Sequence, residues 1–128
     1  MSHFSLIKIK IKNPNIALLR RAVELVAKEL GGEVVTEVRD FYGRTMGCLV
    51  GLVNDTFHRG IGVRLGSGGE VEVVGDFYGV PVEARVRFQE LLVRNYAALA
   101  TQAALARLGY SVQVQKAQER IYIRGVAP

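Results

Sequence analysis

At 128 residues the chain has the length of one ordinary domain and is long enough to bury a real core. With 49% hydrophobic and 23% charged residues its composition is globular rather than disordered, and its net charge of +5 suits either a polyanion partner or plain solubility. The single cysteine, Cys48, excludes an internal disulfide and a cysteine-based zinc site. The opening residues lead directly into a strand pattern without the marks of a secretory leader, and the longest uncharged run, 95–106, is too short for a bilayer. A cytoplasmic protein that enters no membrane is therefore expected.

Ile7, Ile9 and Ile11 alternate with Lys8, Lys10 and Lys12, the period of a strand with one buried and one wet face. Asn13-Pro14 stops it and predicts a helix start, with asparagine as the cap and proline in the first turn. Leu19, Ala22, Val23, Val26 and Leu30 then recur at helical spacing opposite Arg20, Glu24 and Lys28, until Gly31-Gly32 ends the helix. Val34 and Val38 alternate with Glu33, Glu37 and Arg39, predicting a half-exposed strand. It meets Asp40-Phe41-Tyr42-Gly43, a type I turn pattern whose glycine accepts positive φ.

The strand near Thr45–Val53 is apolar on both sides and reads as central in a sheet or as half of a subunit contact. Residues 57–65 place Ile61, Val63 and Leu65 on one side of the next strand. Gly60 and Gly62 leave the other side bare, a groove that Phe41 or Tyr42 would fill. Gly66-Ser67-Gly68-Gly69 turns the chain into Glu70–Gly75, followed by a second Asp76-Phe77-Tyr78-Gly79. In an up-and-down meander the two tetrapeptides fall at opposite ends of the sheet and form no common site. Pro81 and Glu83 open a long helix with Phe88, Leu92, Asn95, Leu99 and Ala103 on one side, ended by Gly109. A terminal hairpin follows.

The order is thus β-α-β-β-β-β-α-β-β in a single domain, 1–128. Two helices pack on one face of a mainly antiparallel sheet, an α+β fold. The series Phe4-Ser5, Ile7-Lys8, Val38-Arg39, Tyr42, Arg44-Thr45, Ile61-Gly62-Val63, Asp76, Arg94, Tyr96-Ala97 and Gly109-Tyr110 runs nearly end to end. In that order and spacing the chain resembles a conserved hypothetical open-reading-frame family of algal plastids and cyanobacteria. Phe77-Tyr78 stands where such chains tend to carry tryptophan after the aspartate. The resemblance implies the fold and brings no activity with it.

Two surfaces could carry chemistry. Lys8, Lys10 and Lys12, with Arg120, Tyr122 and Arg124, form basic stripes with an interleaved aromatic that could share one wet sheet face. A phosphate backbone and a stacked base would use both features. Cross-strand pairing with Glu33, Glu37, Glu70 and Glu72 would instead neutralise that face. Tyr42, Tyr78, Arg94 and Tyr96 could alternatively line a small-molecule or enzymatic pocket between sheet and helices.

Asp55, His58 and Arg59 lack acid–base or metal spacing, and His3 is the only other histidine. Cys48 reads as a buried, inert thiol. No catalytic residue, metal or cofactor is expected. The overall expectation is a non-enzymatic binding or assembly module, homodimeric because the Thr45–Val53 strand and the Ala-rich end of the long helix carry more apolar surface than one layer covers.

Overall fold

The computed structural model describes residues 3–117 and 120–126, the side chains of 113–117, 120 and 122 excepted. Seven strands and two helices follow one another as β1 (Ser5–Lys12), α1 (Ile16–Leu30), β2 (Glu33–Arg39), β3 (Thr45–Val53), β4 (Ile61–Leu65), β5 (Glu70–Gly75), α2 (Val82–Arg107), β6 (Ser111–Ala117) and β7 (Arg120–Val126). The fold is α+β, with a five-stranded antiparallel sheet in the order β1-β5-β4-β3-β2. No helix among the described residues is long and apolar enough to cross a membrane.

The alternation in β1 is realised as expected: Ile7, Ile9 and Ile11 join the helix-side core while Lys8, Lys10 and Lys12 are exposed. Leu19, Val23 and Val26 of α1 and Phe88 and Leu92 of α2 lie fully buried against Leu52, Ile61, Val63, Val71 and Val73. Each such side chain contributes about 1.5–3 kcal/mol when taken from water. Phe57, in the β3–β4 connection, reaches the same core and packs edge-on to Phe88, ring centroids 6.1 Å apart. These side chains form the core between the sheet and the helices.

Helix α1 starts later than its Asn-Pro signal suggests. Asn15 is the cap, its Oδ1 accepting from the Leu18 N–H at 3.2 Å. Asn13 instead takes φ +50° and donates its N–H to the Gly69 carbonyl at 2.8 Å, closing β1 against the β4–β5 turn. The local asparagine propensity is spent on a long-range turn, which moves the helix start by two residues.

Two departures from a flat meander position the site. First, the β2–β3 hairpin hooks back over the sheet. Between the Val35–Gly51 and Glu37–Gly47 pairs, β3 spends three residues (Cys48, Leu49 and Val50) against Thr36 alone, a bulge that bends the ribbon. Pairing of β3 with β4 spans only Val50–Val63 to Leu52–Ile61, so the first half of β3 leaves its neighbour. The freed tip crosses to the start of β4, where the Arg39 N–H donates to the Arg59 carbonyl at 2.8 Å.

Val38 and Cys48, not Phe41 or Tyr42, cover the bare backbone at Gly60 and Gly62. A Cβ on Gly60 would stand 3.0 Å from Val38 Cγ1, and one on Gly62 would stand 2.7 Å from Cys48 Sγ. Val38 and Val74 are fully buried here, outside the main core cluster.

Second, the terminal hairpin does not extend the main sheet. β6 and β7 form a separate two-stranded sheet packed on α2. With 26 residues, α2 is about 39 Å long at 1.5 Å per residue and overshoots the five-stranded sheet. The hairpin folds back on that overhang.

Candidate functional site at the twin turns

The hook overturns the expectation that the two Asp-Phe-Tyr-Gly segments lie apart. It carries the first, at the tip of the β2–β3 hairpin, onto the second, which leaves the end of β5. The Phe41 N–H donates to Asp76 Oδ2 at 2.7 Å, and the Phe41 ring meets the Tyr78 ring edge-on at 5.9 Å. Phe41 also packs edge-on against Tyr42 at 5.4 Å.

Each aspartate first organises its own segment. Asp40 Oδ1 accepts from the backbone N–H groups of Tyr42 and Arg44, both at 2.9 Å, and Asp76 Oδ1 accepts from the Tyr78 N–H at 3.1 Å. The two turns are nonetheless offset by a residue. The first closes from Gly43 N–H to the Asp40 carbonyl, the second from Val80 N–H to the Phe77 carbonyl. Gly43 and Gly79 both take positive φ, +84° and +78°, which glycine adopts without a Cβ penalty.

Arg59 ties the assembly together. Its Nε donates to the Asp76 carbonyl at 3.3 Å, one terminal nitrogen donates to the Tyr78 carbonyl, and the other lies 2.9 Å from His58 Nε2. The guanidinium carbon sits 6.0 Å from the Phe41 ring centroid, and that of Arg44 5.7 Å from the Tyr42 ring. Both are cation–π geometries.

The electrostatics of the cluster are one-sided. Asp40 and Asp76 are each only 2% exposed: backbone N–H groups meet both Asp76 oxygens and Asp40 Oδ1, and the Arg44 side chain meets Asp40 Oδ2. Phe41, Tyr42 and Tyr78 are 56%, 67% and 57% exposed. The solvent meets aromatic rings and the guanidinium of Arg44 while the carboxylates stay inside.

Burial on its own would raise the Asp40 carboxyl. The Arg44 side-chain hydrogen bond at 2.6 Å, the Arg44 and Tyr42 N–H groups and the Arg44 charge outweigh it and hold the group below the usual carboxylate range. The native state therefore binds this proton less readily than the unfolded chain does. Its stabilisation is complete above the ordinary aspartate pKa of about 3.9 and is lost as pH falls through the lowered native value. Asp40→Asn should be less stable than wild type at neutral pH, with the gap closing below about pH 3.9 in urea titrations across pH. A constant gap would assign the loss to something other than this carboxylate.

The other sequence candidates fall elsewhere. Of the pocket quartet, Tyr42 and Tyr78 meet at the twin turns, whereas Arg94 and Tyr96 stand in two different clefts along α2. The Tyr96 hydroxyl accepts the Asn15 N–H at 2.9 Å and so ties α2 to the start of α1. Lys8, Lys10 and Lys12 lie on the outer face of β1, where Lys8 pairs with Glu70 at 3.4 Å and Arg64 pairs with Glu72 at 3.4 Å. Among the described residues Lys10 and Lys12 make no ion pair.

The backbone of Arg120, Tyr122 and Arg124 runs in the separate β6–β7 sheet, so the two basic stripes do not share one sheet. The side chains of Arg120 and Tyr122 lie outside the described residues. His58 contacts Arg59, while Asp55 lines a different cleft with Gly32 and Asn54.

Burial pushes the half-buried Cys48 thiol up, with the Glu37 charge adding to the effect, the opposite of nucleophile activation. Asn95 spends its amide on the Leu91 carbonyl within α2. No group of three or more His, Cys, Asp or Glu among the described residues is placed to hold a metal ion. No family model, curated protein or solved structure matches the chain.

Proposed function

We propose that the protein is a non-enzymatic binding module for single-stranded nucleic acid. Its bases would stack on the twin-turn aromatics and its phosphates would follow the outer lysines of β1. The observation that carries this reading is the exposure of Phe41, Tyr42 and Tyr78 beside two guanidinium groups, with both neighbouring carboxylates buried. Exposed rings cost the monomer apolar surface, and a base with its π-face recovers it without sequence selection. Ser5 pairs with Gly75, immediately before Asp76, so the lysine stripe begins beside the second turn. At about 3.3 Å per residue, Lys8 lies roughly 10 Å from that end of the sheet. Glu70, ion-paired with Lys8 and cross-strand from Lys12, reduces the charge available there and leaves Lys10 as the stronger phosphate contact.

Binding of a single-stranded oligonucleotide, measured at several salt concentrations, tests the reading. Tyr42→Ala or Tyr78→Ala should each cost about 1–3 kcal/mol of binding with little change in salt dependence. The combined replacement of Lys8, Lys10 and Lys12 by alanine should flatten the plot of log affinity against log salt by about 2. Unchanged affinity in the aromatic variants, or an unchanged slope in the lysine variant, would remove the corresponding half of the proposal.

A further inference from the structure

A second surface lies on the opposite side of β1 from its partner strand. β1 ends the sheet, so among the described residues no strand lies beside the outward N–H and C=O groups of this edge. Helix α2 walls the edge. A cleft of about 500 Å³ runs between Lys8, Ile9 and Lys10 of β1 and Gln89, Glu90, Val93 and Arg94 of α2. Its apolar contributors, Ile9 and Val93, are partly buried and pack against the core, so the floor is fixed. The lining carries three cationic side chains against the single carboxylate of Glu90. The stretch of α2 beside it, Gln89 to Arg94, rises about 7.5 Å over five steps, which at about 3.3 Å per residue matches two or three residues of extended chain.

We infer that this cleft accepts an extended acidic peptide, which adds to β1 as a further antiparallel or parallel strand. Edge-strand addition draws affinity from main-chain hydrogen bonds and specificity from alternate side chains. Here the alternate residues of β1 facing outward are lysines, so the incoming strand matches them with Glu or Asp. The same lysines argue against a second copy of this chain. A two-fold β1–β1 pairing sets Lys8, Lys10 and Lys12 against their own copies, and like charges directly opposite destabilise a ladder. Lysine on an edge strand discourages self-pairing, and the groove beside it turns that repulsion into a choice of partner.

A short synthetic peptide alternating glutamate with valine is the probe, followed by fluorescence anisotropy and by backbone amide shifts of the full chain. Saturable binding that moves the amides of Ser5–Lys12 is expected. Arg94→Glu or Lys10→Glu should weaken it by about tenfold or more, and a peptide with proline at alternate positions, in the phase that removes the main-chain donors facing β1, should lose a similar factor. The combined Phe41→Ala, Tyr42→Ala and Tyr78→Ala variant should bind the peptide as wild type does while losing oligonucleotide. Failure here is thereby separated from failure of the nucleic-acid proposal. Equal binding of the proline peptide or of a lysine-valine peptide, no binding at millimolar peptide, or a dimer of the chain that protects the β1 amides would each overturn the inference.

Discussion

Asp76→Ala should lower folding stability by about 2–4 kcal/mol in urea unfolding, because it strands two part-buried backbone donors, each costing about 1–2 kcal/mol, the lower part of the range for a fully buried unmet donor. The donors are the N–H groups of Phe41 and Tyr78, which both point at this carboxylate. Asp76→Asn should not rescue the loss. One carboxylate oxygen serves each donor, so an amide must aim its own NH2 at one of them. Hydrogen exchange supplies the local signature: protection of the Phe41 amide should fall in both variants before that of β1 and β5, whose ladder is elsewhere. If Asp76→Asn matched wild type, the carboxylate would not be the clasp between the turns.

Gly51→Val should cost about 3 kcal/mol, at the upper end for overpacking, because the clash is with backbone rather than with a mobile side chain. Gly51 stands opposite Gly62 where β3 pairs with β4, and a Cβ on Gly51 would lie 2.6 Å from the Ile61 carbonyl oxygen and 2.9 Å from the Gly62 Cα. The strands would have to part at the place where β3 begins its bend. The variant should therefore loosen the hook as well as the sheet, exposing Val38 and raising the reactivity of Cys48 toward a thiol reagent. A stable Gly51→Val protein with an unreactive Cys48 would show that this close approach is dispensable.

Much of the architecture is legible in residue pattern alone. The isoleucine–lysine alternation of β1, the apolar stripe of α1, the glycine stops at Gly31 and Gly109 and the order of nine elements all reflect local chemistry. What was not legible depends on pairs distant in sequence. The meeting of the twin turns requires three residues of β3 to stand against one of β2, and nothing in Thr36 or Cys48 announces that mismatch. The glycines at positions 51, 60 and 62 were the available signal. Gly51 marks close backbone approach, whereas at Gly60 and Gly62 it is Val38 and Cys48 that take up the space where aromatic rings were expected. Periodicity likewise cannot say that α2 outruns its sheet, and so it could not separate the stripe of Arg120, Tyr122 and Arg124 from that of Lys8, Lys10 and Lys12. Arg59, the residue that joins both turns, sits in a connection with no regular pattern to single it out.

The most direct test of the twin-turn surface is a backbone amide titration of the full chain with a single-stranded oligothymidylate. The largest shifts should fall on Arg39 to Arg44, on His58 and Arg59, and on Asp76 to Gly79, with smaller ones along Lys8, Lys10 and Lys12. All should shrink as salt rises. Shifts concentrated on α1, or no shifts in a folded protein at low salt, would contradict the account.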